Sequence, residues 1–222
     1  MLTKTNYTVS TAILQEARAE LPAIDSRLVL NRPTGSFFND PWEIKPEFKD
    51  TVWAKLLDSL ATLKGEARLI RLTPGEAYPS HADIDDRWHL SITGNHSYLI
   101  DLETDTMYQT VVDGRWYLMD AGTRHTAANF GSEDRIQLVV RQLLPLPVIH
   151  DPVNISITLK TVVEDRRFIF DKILCPWLYR AYKQGIVDNF VGQDLVATFT
   201  VESAFVTELQ ELVKEHFNLE VL

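Results

Sequence analysis

Apolar residues recur at helical spacing in two early stretches of the chain. Ile13, Leu14, Ala17 and Leu21 set one apolar stripe on residues 8–21, and Val52, Leu56, Leu57 and Leu60 set another on residues 48–63, so both stretches predict amphipathic helices. Gly65 is expected to close the second. Near Ala67 the period changes from 3.6 to two. Short alternating runs follow at 67–72, 88–93, 97–101, 106–112, 115–119 and 134–144, separated by Pro74-Gly75, Gly94-Asn95, Asp113-Gly114, Gly122 and Gly131. The Asp113-Gly114 pair, between Val111-Val112 and Trp116-Tyr117, predicts a two-residue hairpin. Many short strands punctuated by turns favour a jelly roll or barrel over a parallel α/β sheet. Pro145-Leu146-Pro147 breaks the last run and marks a boundary. Beyond it, 154–163 reads as one more strand, and 166–184 and 204–217 read as helices. The expected architecture is therefore mainly β with flanking helices: a domain over 1–147 that includes the N-terminal helices, and a mostly helical C-terminal cap over 148–222.

Composition narrows the function more than the fold. A chain of 222 residues, 45% hydrophobic, can bury a substantial core. The 22 Lys and Arg against 31 Asp and Glu give a formal charge of -9. That balance disfavours nucleic acid or an anionic membrane surface as a partner, because both attract clustered cations. A single cysteine, Cys175, excludes an intramolecular disulfide and reads as a small core residue. No apolar run approaches transmembrane length, and Met-Leu-Thr-Lys-Thr-Asn-Tyr at the start lacks a signal-like stretch. The expectation is a protein of the reducing cytoplasm.

The candidate chemistry lies in the strand-rich middle. His81-Ala82-Asp83 places two ligand types at i and i+2, which in an extended strand point to one face about 6.6 Å apart along the backbone. Asp120-Ala121-Gly122-Thr123-Arg124-His125 reads as a turn delivering a second histidine. Two imidazoles and a carboxylate can hold one face of an octahedral Fe(II) and leave the other open. Ten positions beyond His125, Arg135 lies in a period-two run and shares a face with Gln137 and Val139. A buried guanidinium there needs an anion, which a dicarboxylate supplies through a two-bonded fork. Arg87 and His89 share a face of the strand that follows the His-x-Asp motif, and so are placed to address the same anion. Arg141, on the Arg135 face but roughly 20 Å further along, reads as a surface ion pair. Trp88 and Trp116 read as core, and His96, His150 and His216 as turn, loop and exposed positions. The stretch Asn31 to Trp42 has two readings: a lid or substrate loop, or aromatic groups (Phe37, Phe38, Trp42) packed under the helices.

At these residues the sequence resembles a known family. The stretch Arg71-Leu-Thr-Pro-Gly-Glu-Ala-Tyr-Pro-Ser-His81, the Arg87-Trp-His89-Leu90 that follows, and Gly122-Thr-Arg-His125 with Arg135 are similar to the aspartyl/asparaginyl β-hydroxylases, Fe(II)/2-oxoglutarate oxygenases related to the L-proline 3-hydroxylases. The resemblance covers roughly residues 65 to 145. It implies a double-stranded β-helix (a jelly roll, cupin-like) with the metal near its mouth. It also implies His81, Asp83 and His125 as iron ligands and Arg135 on the distal carboxylate of 2-oxoglutarate, with Arg87 and His89 helping at its other end. The animal members carry a glycine at the position of Asp83. With the carboxylate present, an ordinary three-ligand site is expected, and a halogenase, which needs that position vacant, is disfavoured.

The activity so implied is hydroxylation of an unactivated C–H of an amino acid or peptidyl side chain, with decarboxylation of 2-oxoglutarate to succinate. The competing reading is a cupin-like module that holds a metal or small anion without redox turnover, since the same ligands bind Zn(II) or Ni(II) at least as well. A third is an isomerase or other metal-dependent enzyme on the same barrel, whose substrate would replace 2-oxoglutarate at Arg135. Arg135 separates the first two, because a metal store has little use for a buried guanidinium behind its ligands.

Overall fold

The computed structural model describes residues 2–160, 166–193 and 196–222. In chain order the elements begin with β1 (Leu2–Thr8), α1 (Thr11–Ala19), β2 (Arg27–Val29), β3 (Asn31–Pro33), β4 (Trp42–Ile44) and α2 (Val52–Asp58). Seven strands then follow without a helix: β5 (Lys64–Leu72), β6 (Arg87–Thr93), β7 (Ser97–Asp101), β8 (Thr106–Thr110), β9 (Arg115–Met119), β10 (His125–Asn129) and β11 (Arg135–Gln142). The C-terminal part contains β12 (Pro152–Leu159), α3 (Arg166–Ile169), α4 (Cys175–Gln184), β13 (Val187–Gln193), β14 (Val196–Glu202), α5 (Val206–Val213) and β15 (Phe217–Val221).

The expected jelly roll is present, and its strand order identifies it. One sheet runs β1-β9-β6-β11-β5-β2 and the facing sheet β10-β7-β8. The second is extended by the segment around Ala77 and His81, which bridges antiparallel to Ala128 and His125. The chain thus alternates between the two sheets: β5 in one, 77–81 in the other, then β6, β7 with β8, β9, β10 and β11. That antiparallel winding is a double-stranded β-helix.

Period-two alternation in the larger sheet separates two chemistries. Ala67, Leu69, Trp88, Leu90, Ile92, Trp116, Ile136, Leu138 and Val140 point outward into a core completed by Leu14, Ala17, Val52, Trp53, Leu56 and Leu60. The two N-terminal helices therefore cover the sheet with the stripes the sequence predicts. Ser10 and Thr51 cap them, each accepting from a backbone N–H in the first turn. The opposite face carries Arg68, Arg87, His89, Arg135 and Gln137.

Several boundaries differ from expectation for physical reasons. The second helix occupies 52–58, not 48–63, because Ser59 Oγ takes the Leu56 carbonyl (2.6 Å) and the chain then leaves the helix for the sheet. Gly65 does not end a helix. It lies in β5, which β11 extends by pairing Gln142 with Lys64, and its carbonyl accepts from Asn31 Nδ2 at 2.8 Å. The Asp113-Gly114 hairpin is not formed either, since β8 pairs with β7 while β9 pairs with β6 and β1. The turn itself is real. Gly114 has φ +74° and sits so close to Val9 that a Cβ would meet its carbonyl at 2.6 Å, and its conformational freedom serves a crossing between sheets.

The cap expected to be mostly helical contains a four-stranded antiparallel sheet, β13-β14-β12-β15, with the helices laid on it. The predicted helix over 204–217 ends at Val213, and Phe217–Val221 is a strand paired with β12, where Phe217, opposite Leu159, is buried. The predicted strand over 154–163 is observed to Leu159, and its residues 161–163 lie outside the described residues. Helix over 166–184 is observed, with π-helical winding at Phe170–Leu174. Leu174, Cys175, Leu178, Leu209 and Val213 form a second core with Ile155, Ile157, Phe199 and Val201, and Ala82 and Ile84 enter the same core. The residues on either side of Asp83 thereby anchor its segment.

Candidate metal centre

Ala82 and Ile84 face the C-terminal core, so the i, i+2 parity turns His81, Asp83 and Asp85 the other way. His81 and His125 are bridge partners, each backbone N–H donating to the other's carbonyl at 3.0 and 2.8 Å. This pairing of two distant segments brings the His-x-Asp motif and the second histidine together. One potential ligand atom from each of His81, Asp83 and His125 lies within 4.8 Å of the other two. Asp83 Oδ2 is 3.5 Å from His81 Nε2 and 3.7 Å from His125 Nε2.

The protonation pattern suits a cation. Nδ1 of His81 lies 2.9 Å from the Pro79 carbonyl and Nδ1 of His125 lies 2.8 Å from the Thr123 carbonyl. Carbonyls only accept, so both Nδ1 atoms carry a proton, which leaves Nε2 as the ligating atom on each ring, directed toward Asp83. Burial lowers the His125 pKa to about 4, keeping the ring neutral at physiological pH. Burial alone would raise the Asp83 carboxyl, but the Arg87 guanidinium outweighs it and holds the carboxyl well below the usual carboxylate range. Two imidazole Nε2 atoms and an ionised carboxylate converging within 4.8 Å fit a divalent metal.

These residues open on a pocket of about 420 Å³, part of it continuous with solvent, and all six sequence-predicted site residues line it. Arg135 is 2% exposed, and no carboxylate partners it among the described residues. Its Nη2 donates to Gln137 Oε1, its Nε has no partner, and burial lowers its pKa to about 9. Because Gln137 Oε1 already accepts from Arg135, the His89 Nδ1 that lies 3.0 Å away must donate to it. Gln137 Nε2 completes the arrangement by donating to Ser91 Oγ at 3.0 Å. His89 Nε2 is then a buried lone pair without a partner among the described residues, and burial holds the ring neutral, with a pKa of about 3.

Arg87 faces the pocket, but its guanidinium is engaged. It donates to both oxygens of Asp83 (2.7 and 3.1 Å) and lies 2.9 Å from Asp85. Arg141 is not a surface residue. It is 6% exposed, donates to Asp85 at 2.7 Å and to the Phe38 carbonyl at 2.8 Å, and stacks 3.4 Å from the Phe38 ring centroid. The far end of the interior face is enclosed as well, because Asn31 to Ile44 folds over it, and Phe38 also packs edge-on against Tyr182 and Phe190. Phe37 in the same loop is 42% exposed.

Sequence reasoning passed over three contributors. Arg68, opposite Val139 across β5 and β11, lines the pocket, and its buried Nε lacks a partner. Its nearest acid, Glu66, is 3.4 Å away and also holds Arg27. The parity of β5 places Arg68 on one face with Lys64, Glu66 and Ile70, and a run of charges along one face has the pattern of a solvent-facing strand rather than of an interior wall. Asp85 is the second. Third, the C-terminal helix braces both ligand-bearing segments: Tyr179 and Lys183 donate to Asp86 at 2.6 and 2.7 Å, and a Cβ at Gly122 would collide with the Tyr179 ring.

Comparison with known proteins agrees with the motifs. The family model described as aspartyl/asparaginyl beta-hydroxylase matches residues 47–145. Among solved structures, a prolyl-4-hydroxylase of Pseudomonas putida aligns at 11% identity with a TM-score of 0.39, covering 65% of this chain and 92% of its own. A cupin domain of Bordetella pertussis aligns at 17% identity and 0.32, covering 37% of this chain and 85% of its own. AerE of Microcystis aeruginosa aligns at 12% and 0.31, covering 71% and 87%. Likenesses this distant add no weight to the strand order itself. No curated protein matches the sequence, and no helix among the described residues is long and apolar enough to cross a membrane. Over residues 47–145, the segment that carries His81, Asp83, Arg87, His89, His125 and Arg135, this chain matches the aspartyl/asparaginyl β-hydroxylase family.

Proposed function

We propose that this chain is an Fe(II)- and 2-oxoglutarate-dependent hydroxylase. The observation that carries the reading is Arg135: a buried guanidinium with no carboxylate partner among the described residues, in the same pocket as the converging His81, Asp83 and His125. An unpaired buried charge costs several kcal/mol, and an incoming carboxylate offsets that cost.

In this reading His81, Asp83 and His125 hold the iron, and Arg135 takes the distal carboxylate of 2-oxoglutarate in a fork. Gln137 keeps Arg135 oriented and fixes the His89 tautomer. Together, iron and 2-oxoglutarate would supply oxygen activation, with release of succinate and carbon dioxide. Ile70, Leu99 and Val139 give the pocket apolar walls that limit water. Arg68 provides a second under-compensated cation for an anionic group of the substrate, which suits an amino acid or an acidic peptide side chain. A metal store explains neither arginine.

Anaerobic addition of Fe(II) and then 2-oxoglutarate tests the reading. A weak visible charge-transfer band is expected in the wild type, and a diminished one in Arg135→Met. Metal binding with no band and no 2-oxoglutarate decarboxylation would favour the non-redox module.

A further inference from the structure

Asp85 is not a candidate ligand, yet it is 1% exposed and stands between two guanidinium groups, 2.9 Å from Arg87 Nη1 and 2.7 Å from Arg141 Nε. On its other side Arg87 donates from Nη2 to Asp83 Oδ1 (2.7 Å) and from Nε to Asp83 Oδ2 (3.1 Å). Oδ2 is also the oxygen nearest both histidines, 3.5 and 3.7 Å from their Nε2 atoms. The atom a metal would use is therefore held by a cation. Arg87 orients the carboxylate and competes for its charge. The result depends on how strongly Arg87 is drawn elsewhere, and the opposing pull comes from Asp85. Arg141 pins Asp85 in turn, and the Phe38 carbonyl and ring pin Arg141. The row Asp83, Arg87, Asp85, Arg141 alternates in sign and is neutral as a whole, so it can be buried without a net charge.

We infer that Asp85 is a positioning residue that holds the Arg87 guanidinium between two carboxylates and so leaves Asp83 Oδ2 available to a divalent metal. The inference rests on the metal-centre reading above. Without Asp85, Arg87 would settle on Asp83 alone, and a metal would meet a carboxylate already neutralised. Changes to groups that orient metal ligands cost about 10–100-fold in metal affinity, and a loss of that size is expected here.

The probe is Mn(II) alone, with the free ion counted by electron paramagnetic resonance, so no turnover is involved. D85N by itself leaves two buried guanidinium groups on one carboxylate and risks misfolding. D85N/R141M removes one charge of each sign and preserves the balance. It should weaken Mn(II) binding about 10–100-fold while keeping a native circular dichroism spectrum. Adding R87M to that pair should bring affinity back toward wild type, because Asp83 is then released; a merely structural role for Asp85 predicts further loss instead. Wild-type affinity in D85N/R141M, or a triple variant no tighter than the double, overturns the inference. H81A separates the two levels. If H81A abolishes Mn(II) binding and D85N/R141M does not weaken it, only this inference fails. If H81A leaves binding intact, the metal-centre reading fails and this inference goes with it.

Discussion

The two faces of the six-stranded sheet are both buried, come from the same strands and differ by one residue in parity, yet they do opposite work. On the outer face Leu90, Ile92, Leu138 and Val140 pack under the N-terminal helices. On the inner face their neighbours His89, Ser91, Gln137 and Arg135 are equally inaccessible and polar. Outward burial stabilises the molecule by about 25 cal/mol for each Å² of apolar surface withdrawn from water. Inward burial costs stability, because buried cations and neutral histidines lose hydration that the protein only partly replaces. Stability is made on one side of the sheet and spent on the other.

Four experiments can break or sharpen that contrast. The largest effect is expected at the ligands, where His81→Ala or Asp83→Ala should reduce 2-oxoglutarate decarboxylation to background while the cooperative thermal transition remains. Full turnover in either would remove the residue from the metal centre. Next comes Arg135→Met. Truncating one partner of a buried charge pair costs roughly 2–5 kcal/mol of binding, so 2-oxoglutarate affinity by calorimetry should fall by about one and a half to three and a half orders of magnitude. The apo-protein should be as stable as wild type or more so, because an uncompensated buried charge is gone. A large loss of stability would mean that Arg135 is a structural residue.

The third experiment inverts the second. Leu90→Ala, on the outer face one residue from His89, should lower unfolding free energy by about 2–5 kcal/mol in urea titrations and leave Mn(II) affinity of the folded protein unchanged. If metal binding fell in step with stability, the two faces would not be separable. The smallest effect is in pH. His89 and His125 have native pKa values of about 3 and 4, pushed down by burial, against about 6.5 in an unfolded chain. As pH falls below about 6.5 the unfolded state takes up protons that the native state refuses. Apo stability should then decline by about 1.4 kcal/mol per pH unit for each histidine, levelling off only near the native values. His89→Gln should reduce the slope between pH 6 and 4.5 by about one proton, measured by urea unfolding across that range. An unchanged slope would mean that His89 titrates normally and faces solvent.

Much of this was legible in the order of residues alone. Helical stripes, the change to period two at Ala67 and the His-x-Asp spacing are local properties, set by the 3.6- and 2-residue periods of the backbone, and the family motifs lie in the same segment. Parity also put Arg135, Gln137 and Val139 on one face without naming what lay opposite. What the chain order could not express was which strands meet. Asp113-Gly114 has the composition of a hairpin and makes a crossing between sheets, because pairing depends on distant strands competing for the same edges. Arg141 looked like a surface cation because Asp85 lies 56 residues away and Phe38 lies 103 residues away. The C-terminal sheet was hidden because Phe217–Val221 becomes a strand only by pairing with β12. Local periodicity is written in the sequence because neighbours in the chain are always neighbours in space, whereas counter-ions, sheet edges and the closure of the pocket join distant segments and exist only once the chain has folded.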